Sequence, residues 1–280
     1  MRSIKSAAAA ALTFAGAVVA AASLSGPAQA AEPVPGGLGL QPAASPIMRE
    51  IAFFHDVVLL PIIVVISLFV LGLLVWVVVR YNKKANPVPA KFTHNVPIEI
   101  AWTLIPVLIL VGISVVSFPL LYREDQTPEK VDMTVKVTGH QWYWSYEYVD
   151  HDGYAFDANM LPDAEAAAAG KPRLLATDNA MVVPVNATIR VQITASDVIH
   201  SWAMPAMGVK MDAVPGRLNE AWFRAEKTGT FYGQCSEICG IKHAFMPIEV
   251  KVVSQAEFDA WVSQQQTASL GAPTQLASAQ

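Results

Sequence analysis

The chain has 280 residues, 53% of them apolar and 15% charged, with a net formal charge of −4. It is too apolar for an ordinary soluble domain and too polar for a polytopic transporter, so a few membrane spans plus one soluble domain account for it. The acidic balance argues against nucleic acid as a partner.

Arg2 and Lys5 precede an alanine-rich apolar run from Ala7 to Ala22, followed by the small residues Ala28, Gln29 and Ala30. This pattern predicts a cleaved signal peptide over residues 1–30, with export of the mature N-terminus. Residues 31–56 are then an exported N-terminal segment. Val57 to Val79 and Ile100 to Leu121 are 23 and 22 residues without a charge. At 1.5 Å per residue each crosses a hydrocarbon core of about 30 Å, which predicts transmembrane helices over 57–79 and 99–121. Pro61, Pro106 and Pro119 are tolerable there, because neighbouring helices or water can satisfy the freed backbone groups.

The loop 80–98 carries Arg80, Lys83, Lys84 and Lys91 and no acid, which places it on the cytoplasmic side. Everything after Leu121 is then outside, in agreement with export. From Tyr122 onward there are 19 acidic and 12 basic residues, a net −7 that favours a basic partner.

Period-2 alternation recurs at Val131, Met133, Val135 and Val137, at Ile189, Val191 and Ile193, at Ala221, Phe223 and Ala225, and at Ile248, Val250 and Val252. Half-buried antiparallel strands produce it. With turns at 150–153 and 214–217, the expected fold of 122–254 is a β-sandwich or Greek-key barrel. The alanine-rich stretch 164–170 is expected to be a surface elaboration, 255–264 a short helix, and the residues after Gln266 a flexible tail.

The only two cysteines, Cys235 and Cys239, share a twelve-residue stretch with His243 and Met246, and His200 lies 35 residues upstream of Cys235, on the loop after the Ile189 strand. A structural disulfide suits an exported domain but leaves His243 and Met246 unexplained. Zinc would accept two Cys and two His, yet a thioether is a soft ligand that suits copper. A mononuclear blue-copper site uses one thiolate, and here there are two. Two thiolates four residues apart can bridge two copper ions, with His200 and His243 each capping one and Met246 as a weak axial ligand. Such a pair would relay electrons without making bonds.

Four stretches then carry a family resemblance: residues 139–148 (GHQWYWSYEY), 197–202 (DVIHSW), 215–217 (PGR) and 235–240 (CSEICG). In this order, after a two-helix hairpin, they resemble cytochrome c oxidase subunit II of the bacterial aa3 type, and the match runs from about Phe53 to Trp261. The resemblance implies a two-helix transmembrane hairpin followed by a cupredoxin-like Greek-key β-barrel in the periplasm, anchored in the bacterial inner membrane. It implies His200, Cys235, Cys239, His243 and Met246 as copper ligands, with the Glu237 carbonyl as a further one. It also implies a Mg2+ ion shared with subunit I through the Glu237 carboxylate, and Trp142 as the electron-entry residue.

Glu147, Asp157 and Asp197 are the implied docking acids for a c-type cytochrome, and Glu99 is implied at the entrance of a proton channel. The implied partners are subunit I, other oxidase subunits, the donor cytochrome and membrane lipid. Oxygen reduction is expected in subunit I. No Cys-x-x-Cys-His is present, so the donor haem is expected on a separate protein. The rival is a membrane-anchored copper-delivery protein with no oxidase partner.

Overall fold

The computed structural model describes residues 33, 34 and 36–271. The expected signal peptide and the end of the tail lie outside the described residues.

Two long helices come first. Helix α1 spans Pro46–Arg80, eleven residues more at its N-terminus than hydropathy predicts. Ser45 caps it, its hydroxyl accepting from Met48 N at 3.0 Å, and Pro46 occupies the first turn. These start signals precede the apolar run because the first turns of α1 serve the β domain and not the membrane. Ala44, Ser45, Ile47 and Met48 are buried, and Ala44 N donates to Ala206 O at 2.8 Å. Between this anchored end and the apolar span, Phe54–Leu59 forms a π-helical turn.

Helix α2 spans Val96–Asp125 and contains Pro106 and Pro119. Asn95 caps it, and the Glu99 carboxylate accepts from Asn95 N at 3.1 Å. It runs past Leu121 to the domain junction, where Arg123 Nε donates to Glu50 at 3.1 Å and Trp222 Nε1 donates to the Arg123 carbonyl at 3.2 Å. Arg49 pairs with Glu226 beside it.

The remainder is a β-sandwich. Its strands are β1 Met133–His140, β2 Tyr143–Tyr148, β3 Tyr154–Ala158, β4 Met181–Pro184, β5 Thr188–Ala195, β6 His200–Met204, β7 Val209–Ala213, β8 Asn219–Arg224, β9 Gly229–Cys235 and β10 Pro247–Val253. One sheet has the order β3-β2-β1-β5-β8 and the other β4-β10-β9-β6-β7. Burial alternates along β1 and β5, as expected of strands with one face in the core. Two pairings, β1 with β5 and β4 with β10, are parallel, so the sheets are mixed and not wholly antiparallel as expected. The core between the sheets holds the fully buried Trp144, Trp202, Tyr146 and Tyr148. Tyr148 Oη donates to Val182 O at 2.8 Å and accepts from Val182 N at 2.7 Å, tying one sheet to the other.

Within the alanine-rich stretch, Asp163–Ala168 forms the short helix α3, with Ala166 buried. Just after it, Lys171 pairs at 2.8 Å with the carboxylate of Glu249, which is 3% exposed. Helix α4 spans Gln255–Gly271, longer than expected. Phe258 and Trp261 pack its first turns against Tyr148.

Candidate metal centre

Strands β9 and β10 are antiparallel neighbours, and the loop joining them carries four of the five expected side-chain ligands. Cys235 ends β9, His243 opens a single 3-10 turn (His243–Phe245), and Met246 precedes β10. Cys235 N donates to Met246 O at 3.4 Å, which closes the loop at its base. His200 is the first residue of β6 and not a loop residue, and Trp202 pairs in register with Cys235. Adjacent strands therefore bring together residues 35 apart in sequence. Gly233 permits it: a Cβ there would lie 1.9 Å from the Ala203 carbonyl oxygen.

The donors converge. Cys235 Sγ and Cys239 Sγ are 3.9 Å apart and both thiols are free and buried. Cys235 Sγ lies 3.9 Å from His200 Nδ1 and 3.4 Å from the Glu237 carbonyl oxygen. Cys239 Sγ lies 3.5 Å from His243 Nδ1 and 3.5 Å from Met246 Sδ. Among the described residues, ligand atoms of His200, Cys235 and Cys239 all fall within 4.8 Å of one another.

Donors each about 2.3 Å from a common ion lie no more than ~4.6 Å apart, so each of these sulfur contacts fits a shared ion. Two thiolates, a thioether and two imidazoles are a soft set that favours copper. The electrostatics favour a bound cation. Burial resists ionisation at Cys235, but His200 and backbone groups at Glu237 and Ser201 overcome it and lower its pKa. Burial and the adjacent Cys235 charge push the Cys239 thiol up. Two sulfurs this close cannot both ionise at low cost until a cation lies between them.

The surroundings fix these groups. A Cβ at Gly139 would come within 2.9 Å of His200 Cδ2, so only glycine lets β1 pass beneath the imidazole. Trp144 Nε1 donates to Met246 O at 3.3 Å. Gly240 has φ +124, a conformation that costs little only for glycine, and a Cβ there would lie 3.0 Å from the Trp142 ring. Gln141 Nε2 and Trp142 Nε1 both donate to the Cys239 carbonyl, at 2.7 and 3.3 Å. Lys242 Nζ lies 5.8 Å from the Trp142 ring centroid.

Trp142 is thus against the metal loop and half-buried. Glu237 is exposed, its carbonyl turned toward Cys235. Glu147 pairs with Lys136 at 3.2 Å, and Asp157 accepts from Ser145 Oγ at 2.6 Å, both on the outer face of the sheet. Asp197 has other partners: its carboxylate accepts from His200 Nε2 at 2.9 Å, Gln141 N at 2.7 Å and Val198 N at 2.6 Å. Burial works against its charge, but these bonds, His200 first, hold its pKa below the usual value. Glu99 is not part of this cluster. It lies at the other end of α2, roughly 39 Å along the helix from Asp125 at 1.5 Å per residue. Sequence reasoning missed Gln141, Gly139 and Gly240, although Gln141 and Gly139 stand in the same GHQW run as Trp142.

Comparisons with known proteins agree on one family. The cytochrome c oxidase subunit II periplasmic domain matches residues 133–253, and the cytochrome c oxidase subunit II transmembrane domain matches residues 33–120. The chain is 56% identical over 234 residues to a probable cytochrome c oxidase subunit 2 of Rickettsia bellii, covering 84% of this chain and 86% of that one. It is 52% identical over 248 residues to cytochrome c oxidase subunit 2 of Cereibacter sphaeroides, covering 83% and 81%. The crystal structure of the periplasmic domain of subunit II of cytochrome oxidase of Bradyrhizobium japonicum is 57% identical, covers 51% of this chain and 99% of that chain, and gives a TM-score of 0.48. With both its membrane hairpin and its β domain matched, the chain belongs to the cytochrome c oxidase subunit II family.

Proposed function

We propose that this chain accepts electrons from a c-type cytochrome at a dinuclear copper centre and hands them to subunit I of a haem-copper oxidase, where oxygen is reduced to water with proton translocation. The observation that carries this reading is the convergence of two imidazoles, a thioether and a carbonyl on two free thiols 3.9 Å apart. His200, Cys235, Cys239, His243 and Met246 hold the two copper ions, with the Glu237 carbonyl as a further ligand. When bound, the copper pair supplies a one-electron carrier.

The protein's part is to keep the site rigid and dry. Cys235, Cys239, His200 and Met246 are buried, and the loop is closed by strand pairing at its base. A site that is not free to rearrange between charge states transfers an electron at low reorganisation cost. Trp142, half-buried against the Cys239 carbonyl, is the entry residue facing the donor. Glu147, Asp157 and Asp197 provide negative charge that steers a lysine-rimmed cytochrome. The exposed carboxylate of Glu237 is assigned to a Mg2+ ion shared with subunit I, and Glu99 to the entrance of a proton path on the cytoplasmic side.

In this reading residues 1–30 are a cleaved signal peptide, 80–98 a cytoplasmic loop, and 122–254 a periplasmic domain, so the protein is a two-pass protein of the bacterial inner membrane. Subunit I, other oxidase subunits and lipid cover the apolar faces of the hairpin.

The test is metal analysis and electron paramagnetic resonance of the full chain, purified in detergent and loaded with copper. Two copper ions per chain, with the hyperfine pattern of one electron shared by two copper nuclei and its complete loss in Cys235→Ser, is the expected result. A single-copper pattern or stoichiometric zinc overturns the reading. A copper-delivery protein would bind copper yet fail to take electrons from reduced cytochrome c.

A further inference from the structure

The geometry points to a yoke made by Asp197 and Gln141 that fixes the two ligand-bearing segments against each other, which makes both of them positioning residues of the copper centre. This rests on the copper reading above and assigns Asp197 a task apart from attracting a donor. Asp197 sits on the turn between β5 and β6, three residues before His200. One carboxylate oxygen accepts from His200 Nε2 at 2.9 Å, the ring nitrogen opposite the one that faces Cys235, and from Val198 N at 2.6 Å. The other oxygen accepts from Gln141 N at 2.7 Å. Gln141, on the turn between β1 and β2, then reaches the other segment through Nε2, which donates to the Cys239 carbonyl at 2.7 Å.

A continuous line of contacts therefore runs His200, Asp197, Gln141, Cys239. It supplements the backbone bond from Ser236 N to Ser201 O at 2.9 Å that already joins the two strands. An imidazole that offers one nitrogen to a metal and donates from the other to a carboxylate has its tautomer and ring rotation fixed, and such partners tune the ligand's basicity. Asp197 uses both of its oxygens in this way. An asparagine has one acceptor oxygen, so it cannot serve the His200 and Gln141 N–H groups together. A rim acid whose only task is long-range attraction needs no such arrangement. The Asp197 side chain keeps 31% exposure, enough to add negative potential at the surface while its bonds are spent inward.

The experiment uses the full chain with copper loaded and compares Asp197→Asn, Gln141→Met and the double variant with the parent. Copper affinity is measured by chelator competition, the hyperfine pattern by electron paramagnetic resonance, and cytochrome c oxidation in the assembled oxidase across a range of ionic strength. Loss of an outer partner of a metal ligand costs about 10–100-fold in affinity. The expected result is a loss of that size in each single variant, an altered hyperfine pattern, and a double variant little worse than either single one, because the yoke is one unit. Parent-like copper affinity and hyperfine pattern, with only a salt-dependent change in KM for cytochrome c, overturns the proposal and leaves Asp197 a docking acid. Losses that simply add in the double variant overturn the link between the two residues. A parent chain that fails to hold two copper ions overturns the copper reading itself, and Asp163→Asn, on α3 where the carboxylate pairs with the exposed Arg173 at 2.7 Å, is the control whose copper affinity and hyperfine pattern stay with the parent.

Discussion

At the metal end of the sandwich, His200, Trp144 and Trp202 are 0% exposed and each ligand segment is held by strand pairing, hydrogen bonds and close packing. Along α1 and α2 the large side chains lie open instead: Val65 is 66% exposed, Phe69 64%, Leu110 62% and Val115 71%. The β domain therefore carries its own stability in its own contacts, whereas the hairpin depends on lipid and neighbouring subunits for burial. The two regions meet where the first turns of α1 enter the domain, and there the first rule applies to residues that hydropathy would assign to neither. The ligand atoms that must not move are held by contacts within the chain, and the variable surroundings of the hairpin are left to the membrane.

Gly233→Ala strikes the metal end hardest. Its Cβ would meet backbone, with no side chain able to swing aside, so β9 must part from β6 and carry Cys235 away from His200. The expected cost is about 3 kcal/mol in thermal or denaturant unfolding, with loss of copper binding. Parent-like stability and copper content would show that the metal end yields where this contrast requires it to be stiff. Next is Tyr148→Phe, which leaves the N–H and C=O of Val182 without their shared hydroxyl partner between the sheets. A loss of about 2 kcal/mol is expected, measured as a fall in Tm, with the copper spectrum retained. Smallest is Ser45→Ala at the junction. It removes a helix cap and the bond from Ser45 Oγ to Met207 O at 2.6 Å, for about 1 kcal/mol. Faster proteolysis around residues 40–50, with an unchanged β domain, would mark the loss of that anchor.

Much of the site is legible in the sequence because its chemistry demands particular residue types: two thiols, two imidazoles and a thioether at short spacing restrict the options strongly. Strands β1, β5 and β8 are legible because one face of each is wetter than the other, so their side chains alternate; β10 alternates in residue type, although Lys251 is its only exposed residue. Strand β6 is not legible, since all five of its residues are buried and burial on both faces erases the alternation. His200 reads as a loop residue for that reason. The parallel pairing of β1 with β5 has no local signature, because it is fixed by packing between segments some fifty residues apart. Helix α1 begins earlier than its apolar run because hydropathy marks where the membrane begins, while Ser45 and Pro46 mark where the helix begins. The inward task of Asp197 is hidden for a similar reason, as a carboxylate in a turn is written the same way whether it faces water or a histidine.

The π-helical turn at Phe54–Leu59 has a consequence for how α1 can be used at both ends. Each residue of an α-helix advances the side chains by about 100° around the axis, so in an uninterrupted helix the direction of Ile47 and Met48 would dictate the direction of every residue down to Arg80. The wider turn resets that phase. The upper end is free to aim its apolar side chains into the β domain while the membrane portion presents a different stripe to whatever lies beside it. Deleting one residue from this turn would rotate one end relative to the other, so the turn acts as an angular coupling between a fixed copper domain and its membrane neighbours.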